Sequence, residues 1–315
     1  MHLVVQIPAY NEAETIGGVI QEIPRRIPGI DQVTVLVVDD GSRDGTGEVA
    51  RAAGADVVIR HRRNRGLAAA FQTGMDAALR LGADLIVNLD ADGQYDPADI
   101  PALIAPILRG EADLVVGDRQ VMRLTHFPWP KRALSALGSA IVRWASGMEV
   151  PDAPSGFRAY TREAALRLVV LTDFSYTVEH LIQAGKRRLA VAHVPVRARP
   201  TPRPSRLHHG VWDFIKRQGA TLVRVYASYE PLKAFFYLSL PFWLIGLALF
   251  ARLAWFFVTE GFALRGHVQS LIVATLSIIL AFLIFLFGLL ADRIGDNRRL
   301  LEEIMHRLRE LETRL

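Results

Sequence analysis

Two long stretches in the C-terminal third of the chain carry almost no charge, and they limit the possible folds more than any other feature. Residues 268–291 contain no charged side chain, and residues 234–258 contain only Arg252. A helix of 24 residues rises about 36 Å, which exceeds the hydrocarbon core of a bilayer at about 30 Å. We therefore predict a transmembrane hairpin over residues 234–291. A buried hairpin in a soluble protein is the alternative.

The basic residues predict how this hairpin is oriented. A hairpin leaves residues 1–233 and 292–315 on the same side of the membrane, whereas the connecting loop carries Arg265 alone among lysines and arginines. The flanks on the shared side are rich in both: Lys216, Arg217, Arg224, Lys233, Arg293, Arg298 and Arg299. The positive-inside rule then predicts an integral protein of the cytoplasmic (plasma) membrane, with the large domain and the C-terminus in the cytoplasm.

Two further segments adjoin the hairpin. Residues 211–233 have the pattern of a basic amphipathic helix, which predicts a juxtamembrane helix at the interface; an ordinary surface helix is the alternative. Residues 292–315 place leucine and isoleucine at helical spacing among many charges. They are predicted to form a cytoplasmic C-terminal helix, and a coiled coil, a membrane-surface helix and a solvated helix all fit that pattern.

Residues 1–210 alternate between short apolar runs and helical patterns. Such alternation predicts an α/β domain with a mostly parallel sheet flanked by helices. In these sheets ligands bind beyond the carboxyl ends of the strands. The predicted strands are residues 2–7, 33–38, 57–59, 85–89 and 114–116, and the predicted helices are residues 12–26, 46–53, 67–81 and 97–108.

The composition of the chain excludes some types of reactive site and indicates the charge of its ligands. The chain has no cysteine, which excludes disulfides, a thiolate nucleophile and cysteine-ligated zinc. Its net charge of +5 fits phosphate, anionic lipid or nucleic acid. A basic run at residues 60–65 is one source of that charge; we expect it to face a diphosphate or solvent rather than nucleic acid.

Two carboxylates separated by one residue follow the fourth predicted strand. Asp90 and Asp92 lie in the sequence Leu-Asp-Ala-Asp-Gly-Gln-Tyr, with Gln94 two residues further on. Hard oxygen ligands of this kind suit Mg²⁺ or Mn²⁺, with the remaining ligands supplied by a substrate diphosphate and water. A solvated Asp-Gly turn is the alternative for the tripeptide taken alone.

A second acidic pair, Asp39 and Asp40, ends another strand. A carboxylate there can accept hydrogen bonds from a nucleobase or a ribose hydroxyl, whereas the next polar residues read as turn and helix-cap chemistry. After the first strand, Pro8, Tyr10 and Glu12 are expected to flank a base, with Tyr10 as a stacking surface. No Gly-x-Gly-x-x-Gly motif occurs at this turn, which argues against a dinucleotide-binding enzyme.

Taken together, these three segments resemble family 2 glycosyltransferases of the GT-A fold. Further segments resemble the dolichol-phosphate mannose synthases and the bacterial polyprenyl-phosphate glycosyltransferases within it. They are Asn-Arg-Gly-Leu at 64–67, Gly-Asp-Arg at 117–119, Asp-Ala-Pro-Ser-Gly-Phe-Arg at 152–158 and Arg-Pro-Ser-Arg-Leu at 203–207. The last is similar to a Ser-Lys-Leu loop, with arginine in place of lysine. The resemblance covers about residues 2–210, and the hairpin matches the members with two spans.

The resemblance implies roles for individual residues. Pro8, Tyr10, Glu12 and Asp39, with Asp40 beside it, would hold the nucleotide. Asp90, Asp92 and Gln94 would bind Mg²⁺ or Mn²⁺ and the diphosphate, and Asp92, Arg119 and Arg206 would act in catalysis. Arg119, Arg132, Arg199 and Arg206 would bind the acceptor phosphate.

The same resemblance implies a membrane glycosyltransferase that moves a sugar from a nucleotide donor to a polyprenyl phosphate, undecaprenyl or dolichyl, with inversion. It favours UDP-sugars, with GDP-mannose still open. Glu179 is the one acid in a stretch where sugar-accepting members resemble each other in an acidic pair. An acceptor that is a phosphate monoester explains why the second acid is missing. Its second pKa of about 6 leaves the acceptor ionised at neutral pH, so no base is needed.

Two other functions were weighed. A processive polysaccharide synthase would carry a Gln-x-x-Arg-Trp motif, but position 140, three residues before Arg143, is alanine. A non-catalytic membrane scaffold would not need paired carboxylates together with an arginine-rich loop at residues 197–210. Nucleic acid is not expected as a partner, and a homo-oligomer stays open.

Overall fold

The computed structural model describes residues 1–120, 139–140, 142–143, 146–170, 176–199, 230–260 and 268–312. The chain divides into two compact units, Met1–Leu222 together with Met305–Leu315, and Val223–Ile304. The predicted boundary at residue 210, and residues 211–229 of the predicted amphipathic helix, lie outside the described residues. They stay predictions.

The described part of the first unit is built on a seven-stranded sheet of order β3-β2-β1-β4-β6-β5-β7. Its pairings are parallel except where β6 runs antiparallel between β4 and β5. The strands are β1 (His2–Ala9), β2 (Gln32–Asp39), β3 (Val57–Arg60), β4 (Leu85–Asn88), β5 (Leu114–Asp118), β6 (Arg158–Thr161) and β7 (Val191–Pro195). The predicted mostly parallel sheet is confirmed. Strands β6 and β7 were not predicted, because neither presents a long apolar run.

Helices pack on this sheet and close its core. Leucine, isoleucine and valine side chains of the central strands are fully buried. Helices in the described part of residues 1–199 include α1 (Ile16–Gln21), α2 (Thr46–Ala52), α3 (Leu67–Arg80), α4 (Ile100–Leu108), α5 (Arg162–Arg167) and α6 (Tyr176–Lys186), with a 3₁₀ turn at Pro97–Asp99.

Helix α1 is much shorter than the predicted helix of residues 12–26. It starts late because Asn11 has a positive φ of 53° and the backbone N–H of Glu12 is bound by the Thr46 hydroxyl at 2.8 Å. It ends early because Pro24 has no N–H and disfavours helical backbone at the residue before it.

The second unit contains two long helices, α7 (Pro231–Glu260) and the first part of α8 (Val268–Glu312). Both are long and apolar enough to cross a membrane. They pack closely at glycines: a Cβ at Gly246 would meet Ile278 at 2.7 Å, and one at Gly288 would meet Phe235 at 2.8 Å. Most large apolar side chains outside this seam are exposed, as lipid-facing residues would be.

Helix α8 differs from the prediction in one respect. The second span and the C-terminal helix form one unbroken helix of 45 residues, rather than two helices that meet near residue 291. The segment between them contains no proline, and its single glycine, Gly295, is tolerated within a helix.

Candidate active site

The paired carboxylates lie just beyond β4, at the carboxyl edge of the sheet. Strand β4 is fully buried, and the chain then turns so that Asp90 and Asp92 are only partly buried. Asp92 Oδ1 accepts a hydrogen bond from the backbone N–H of Gln94 at 3.0 Å. Among the described residues, none donates a hydrogen bond to the Asp90 carboxylate. One carboxylate of the pair is therefore free to take a ligand.

Burial and mutual repulsion perturb both groups. Burial, followed by the charge of Asp92, raises the pKa of Asp90 to about 7. Burial also raises the pKa of Asp92. The positive charges of Arg119 and Arg158 oppose the shift at Asp90. Two carboxylates that resist ionisation together suit a divalent cation, whose charge would remove the repulsion.

The donor set fits such a cation only if a substrate completes it. The described residues hold no group of three or more histidine, cysteine or acidic side chains around one point. Asp90 and Asp92 supply hard oxygen atoms, and Gln94 lies in the same turn. Mg²⁺ in nucleotide-binding enzymes is commonly held by one or two carboxylates plus substrate phosphates, and this set matches that arrangement.

A wall formed by residues 152–158 encloses Asp90. Gly156 lies against it so closely that a Cβ at this position would be 2.7 and 2.9 Å from the two Asp90 oxygens. The Gly156 N–H donates to the Tyr95 hydroxyl at 3.1 Å, and its carbonyl accepts from Asn88 Nδ2 at 2.8 Å. Only glycine therefore fits beside the carboxylate in this conformation.

Arg158 holds this wall in place from inside the protein. Its side chain is fully buried, and its guanidinium donates to three backbone carbonyls, those of Ala153, Ser155 and Thr177, at 2.7–2.8 Å. These bonds tie the wall to the start of α6. The sequence motif at 152–158 was noticed, but no role was predicted for Arg158.

Tyr176 and Asn88 form the layer beneath Asp90. The Tyr176 ring stacks on Phe71 with centroids 3.7 Å apart, and its hydroxyl accepts from Asn88 Nδ2 at 2.8 Å. Gln6 Nε2 donates to Asn88 Oδ1 at 3.1 Å. This buried polar network was also missed. The sequence signal for it was polar residues, Gln6 and Asn88, inside otherwise apolar strands.

Arg119 lies beside the same wall and is bound to Asp152. Its Nε and Nη2 donate to the two Asp152 oxygens at 2.7 and 2.8 Å, and its backbone N–H donates to Oδ2 at 3.1 Å. Both side chains are largely buried. The Arg119 guanidinium is thus engaged by Asp152, and its charge also acts on Asp90; its role toward a phosphate stays a prediction.

The start of the arginine-rich loop lies next to the acidic turn. The backbone N–H of Arg199 donates to the Gln94 carbonyl at 2.7 Å. The Arg199 guanidinium pairs with Glu22 at 2.7 Å and with Asp96 at 3.1 Å. Arg132 and Arg206, the other two predicted phosphate ligands, lie outside the described residues.

Asp39 and Asp40 have different surroundings. Asp39 is buried; its Oδ1 accepts from the Ser42 N–H at 2.8 Å, while Oδ2 receives no hydrogen bond within the described chain and lies 3.4 Å from Arg60 Nε. Asp40 accepts from the Arg65 and Gly66 N–H groups at 2.9 and 2.8 Å, and its Oδ1 lies 2.6 Å from His61 Nδ1. Asp40 therefore holds the loop before α3, and of the pair only Asp39 keeps an oxygen without a hydrogen bond among the described residues.

The remaining predicted nucleotide residues lie at the end of β1. Pro8 is buried opposite Val38 of β2, and the β1–β4 pairing ends at Gln6, so the missing N–H of Pro8 falls beyond it. Tyr10 is exposed at this edge. Glu12 is buried, and its Oε2 accepts from the Thr15 hydroxyl at 3.1 Å.

The sequence matches the domain described as "Glycosyl transferase family 2" over residues 4–168. The chain is 32% identical to the glycosyltransferase AglJ of Haloferax volcanii, over 97% of this chain and 96% of that protein. It is 34% identical to the polyprenol monophosphomannose synthase of Mycolicibacterium smegmatis, over 61% of this chain and 75% of that protein. It is 31% identical to a UDP-N-acetylglucosamine–dolichyl-phosphate N-acetylglucosaminyltransferase of Methanococcus voltae, over 61% and 83%.

The fold is also similar to that of solved enzymes. Glucosyl-3-phosphoglycerate synthase from Mycobacterium tuberculosis, in complex with Mn²⁺, UDP and glucosyl-3-phosphoglycerate, superposes with a TM-score of 0.55 at 26% identity. The match covers 72% of this chain and 78% of that one. The same enzyme with Mg²⁺ and UDP gives a TM-score of 0.54.

Proposed function

The chain belongs to glycosyl transferase family 2, and we propose that it transfers a sugar from a nucleotide donor to the phosphate of a polyprenyl phosphate in the membrane. The relatives from Mycolicibacterium smegmatis and Methanococcus voltae are named for polyprenol and dolichyl-phosphate substrates. The two apolar helices would hold the enzyme in the bilayer that contains such a lipid.

One observation carries the proposal. The carboxylate pair at Asp90 and Asp92 and the first residues of the arginine-rich loop lie at the same edge of the sheet, joined by the hydrogen bond from the Arg199 N–H to the Gln94 carbonyl. Acidic groups for a cation and basic groups for phosphate are both needed where a sugar leaves a diphosphate and joins a phosphate. This juxtaposition supports both halves of the reaction at one site.

Asp90 and Asp92 would hold Mg²⁺ or Mn²⁺, with Gln94 as a further oxygen donor. When bound, the ion neutralises the charge of the departing nucleoside diphosphate. Gly156 and the buried network behind it form the wall against which the Asp90 carboxylate lies. The enzyme of Mycobacterium tuberculosis with a similar fold was crystallised with Mn²⁺ or Mg²⁺, which supports this role.

We favour UDP as the nucleotide of the donor. Asp39 has one oxygen engaged by Ser42 and one without a hydrogen bond, so it offers a single strong acceptor. Uracil presents a single imide N–H between two carbonyls, whereas guanine presents two adjacent N–H donors on its corresponding edge. The guanidinium of Arg60 beside Oδ2 adds a donor, which again suits a base with carbonyls next to its N–H.

Arginines would bind the acceptor phosphate. Arg119 and Arg199 are engaged by Asp152, Glu22 and Asp96, and a phosphate dianion would compete for these guanidinium groups. Arg132 and Arg206 are proposed to complete the set. Because the acceptor is already ionised, no side chain has to remove a proton from it.

The geometry of acid groups is compatible with direct displacement. Glu179, the acid nearest in sequence to the position where a base would be sought, is buried in α6, with Gln183 Nε2 3.4 Å from its Oε1. We propose in-line attack by the acceptor phosphate with inversion at the anomeric carbon.

We also retain the prediction that the large domain and the C-terminus face the cytoplasm, since the flanks of the hairpin carry the basic residues.

The test is sugar transfer by the purified full chain in nanodiscs. Undecaprenyl phosphate, Mn²⁺ and a panel of labelled UDP- and GDP-sugars are supplied, and the lipid extract is analysed. We expect one labelled polyprenyl-monophosphate sugar, formed from a UDP-sugar, and a change of anomeric configuration by NMR. A growing polymer, or no lipid product with any donor, would contradict the proposal.

Two matched variants test whether transfer depends on the acidic pair. Asp92→Asn should abolish transfer, while Glu163→Gln, which changes an exposed carboxylate paired with Arg167 on α5, should leave it intact. Full activity of Asp92→Asn would refute the role of the acidic pair even if transfer itself were confirmed.

A further inference from the structure

An exposed basic loop connects β3 to α3 and has no part in the proposed reaction. We call residues 61–66 the basic loop. Arg62, Arg63 and Arg65 are exposed, and none of them forms an ion pair with any described residue. Arg60, just before the loop, differs because it pairs with Asp39 and Glu48. These three exposed guanidinium groups, which lie within four consecutive residues, form a concentrated positive surface.

The backbone of the basic loop is held rigidly from below. Asp40 accepts from the N–H groups of Arg65 and Gly66, and His61 is hydrogen bonded to Asp40 and to Thr73. Gly41, with a φ of +75°, lies so close to the Arg63 backbone that any side chain at position 41 would collide with it. Buried polar contacts thus fix the backbone of a loop whose arginines are exposed. A loop that is fixed in this way is better suited to binding a partner than a solvated linker would be.

The location of the basic loop separates it from the diphosphate site. It follows β3, the edge strand, and rests on the turn after β2. Two strand spacings, about 10 Å, lie between β2 and β4, which carries the acidic pair at its end. The loop therefore flanks the proposed site at the same edge of the sheet, and it is separate from the turn that carries the acidic pair.

We propose that the basic loop docks on anionic phospholipid headgroups of the membrane that anchors the chain. Guanidinium groups pair well with phosphate, and an anionic leaflet attracts clustered arginines over about a Debye length. The two apolar helices tether the domain to the bilayer, so the lipid surface is present at a high effective concentration. Nucleic acid has no such advantage. Docking of this edge would present the carboxyl ends of the strands to the lipid.

The absence of cysteine in the whole chain allows a direct test that needs no enzymatic activity. A fluorophore is attached to Asn64→Cys in the basic loop. In the control it is attached to Ala52→Cys, an exposed position at the end of α2, which lies toward the amino ends of the strands. The full chain is placed in nanodiscs that carry a headgroup-attached quencher. The discs contain phosphatidylcholine alone, or equal parts of phosphatidylcholine and phosphatidylglycerol.

We expect the fluorophore at position 64 to be quenched in the discs with phosphatidylglycerol. This quenching should be lost in phosphatidylcholine alone or at high salt. The fluorophore at position 52 should not be quenched in either lipid composition. Reversing the loop charges should reduce the quenching at position 64 to the level of position 52. Reversing an equal number of exposed arginines elsewhere should leave it unchanged. The two triple variants are R62E/R63E/R65E and the control R26E/R51E/R188E.

Three results would overturn the proposal. Equal quenching in both lipid compositions would mean that charge does not direct the contact. Unchanged quenching in the loop variant, together with a raised KM for the nucleotide-sugar, would place the arginines at the donor diphosphate instead. Protection of the position-64 fluorophore by a DNA oligomer but not by lipid would indicate nucleic acid. Because the fluorescence is recorded without substrates, failure of sugar transfer would not affect the outcome.

Discussion

Gly156→Ala should disable the proposed metal site while leaving the fold intact. The added methyl carbon would lie 2.7 and 2.9 Å from the Asp90 oxygens and 3.0 Å from the Tyr176 hydroxyl, where ordinary contacts begin at 3.4 Å. The overlap of about 0.5–0.7 Å must be relieved. Gly156 is not among the glycines with positive φ, so alanine brings no backbone strain.

The effect of the substitution depends on whether the Asp90 carboxylate or the backbone at residue 156 moves to relieve the overlap. Behind Gly156 the backbone is bound to Tyr95 and Asn88, whereas the Asp90 carboxylate accepts no hydrogen bond within the described residues and is free to swing away. Relief by that route costs little stability, about 1 kcal/mol, within the range for modest overpacking. It moves a metal ligand by a large fraction of an ångström, and a misplacement of this size costs about 10²-fold in rate.

The assay compares Mn²⁺ affinity, turnover and thermal unfolding of the full chain. Gly18→Ala is the matched control, because a Cβ there meets nothing within 4 Å. Within α1 it should raise stability by about 0.5–1 kcal/mol and leave transfer unchanged. Wild-type Mn²⁺ affinity and turnover in Gly156→Ala would refute the reasoning. A collapse of the fold would show that the wall, rather than the carboxylate, yields.

Three further predictions follow from the same contacts. Because the pKa of Asp90 is raised to about 7, a cation must displace a proton below that pH; Mn²⁺ affinity measured by titration should fall about tenfold per pH unit there and level off above it. Arg158→Met should lower the free energy of unfolding by about 3 kcal/mol or more, measured by denaturation in detergent, because three buried carbonyls lose their donors; an unchanged midpoint would contradict the buried network. Asp39→Ala should raise the KM for the nucleotide-sugar about tenfold and lower stability by about 1 kcal/mol through loss of its bond to Ser42, whereas Asp40→Ala should lower stability by about 3 kcal/mol through loss of its three partners. If kinetics and thermal unfolding give the reverse pattern, the two assignments are wrong.

The two long apolar helices and the strands that carry the acidic residues could be predicted because their signals are local. A long uncharged run indicates a spanning helix whatever surrounds it. Strands β1, β2 and β4 are buried on both faces, so each reads as a continuous apolar run followed by polar residues. The apolar run of β4 therefore predicts that Asp90 and Asp92 lie at a strand end.

The sequence could not show which side chains share an environment. Asp39 and Asp40 are neighbours of the same type, yet one keeps an oxygen without a hydrogen bond and the other is bound by a loop more than twenty residues away. That difference depends on the path of residues 61–66 over the end of β2. No local pattern encodes it.

Sequence alone determined the class of the chain: an α/β domain with paired carboxylates at a strand end, followed by an apolar hairpin. Only the tertiary structure decided how the site is enclosed. Strand β6 inserts antiparallel between β4 and β5, and this brings Gly156 and Arg158 to Asp90 across more than sixty residues of chain. The physical reason is that hydrophobic periodicity reports which residues are buried, whereas strand order sets which buried residues touch.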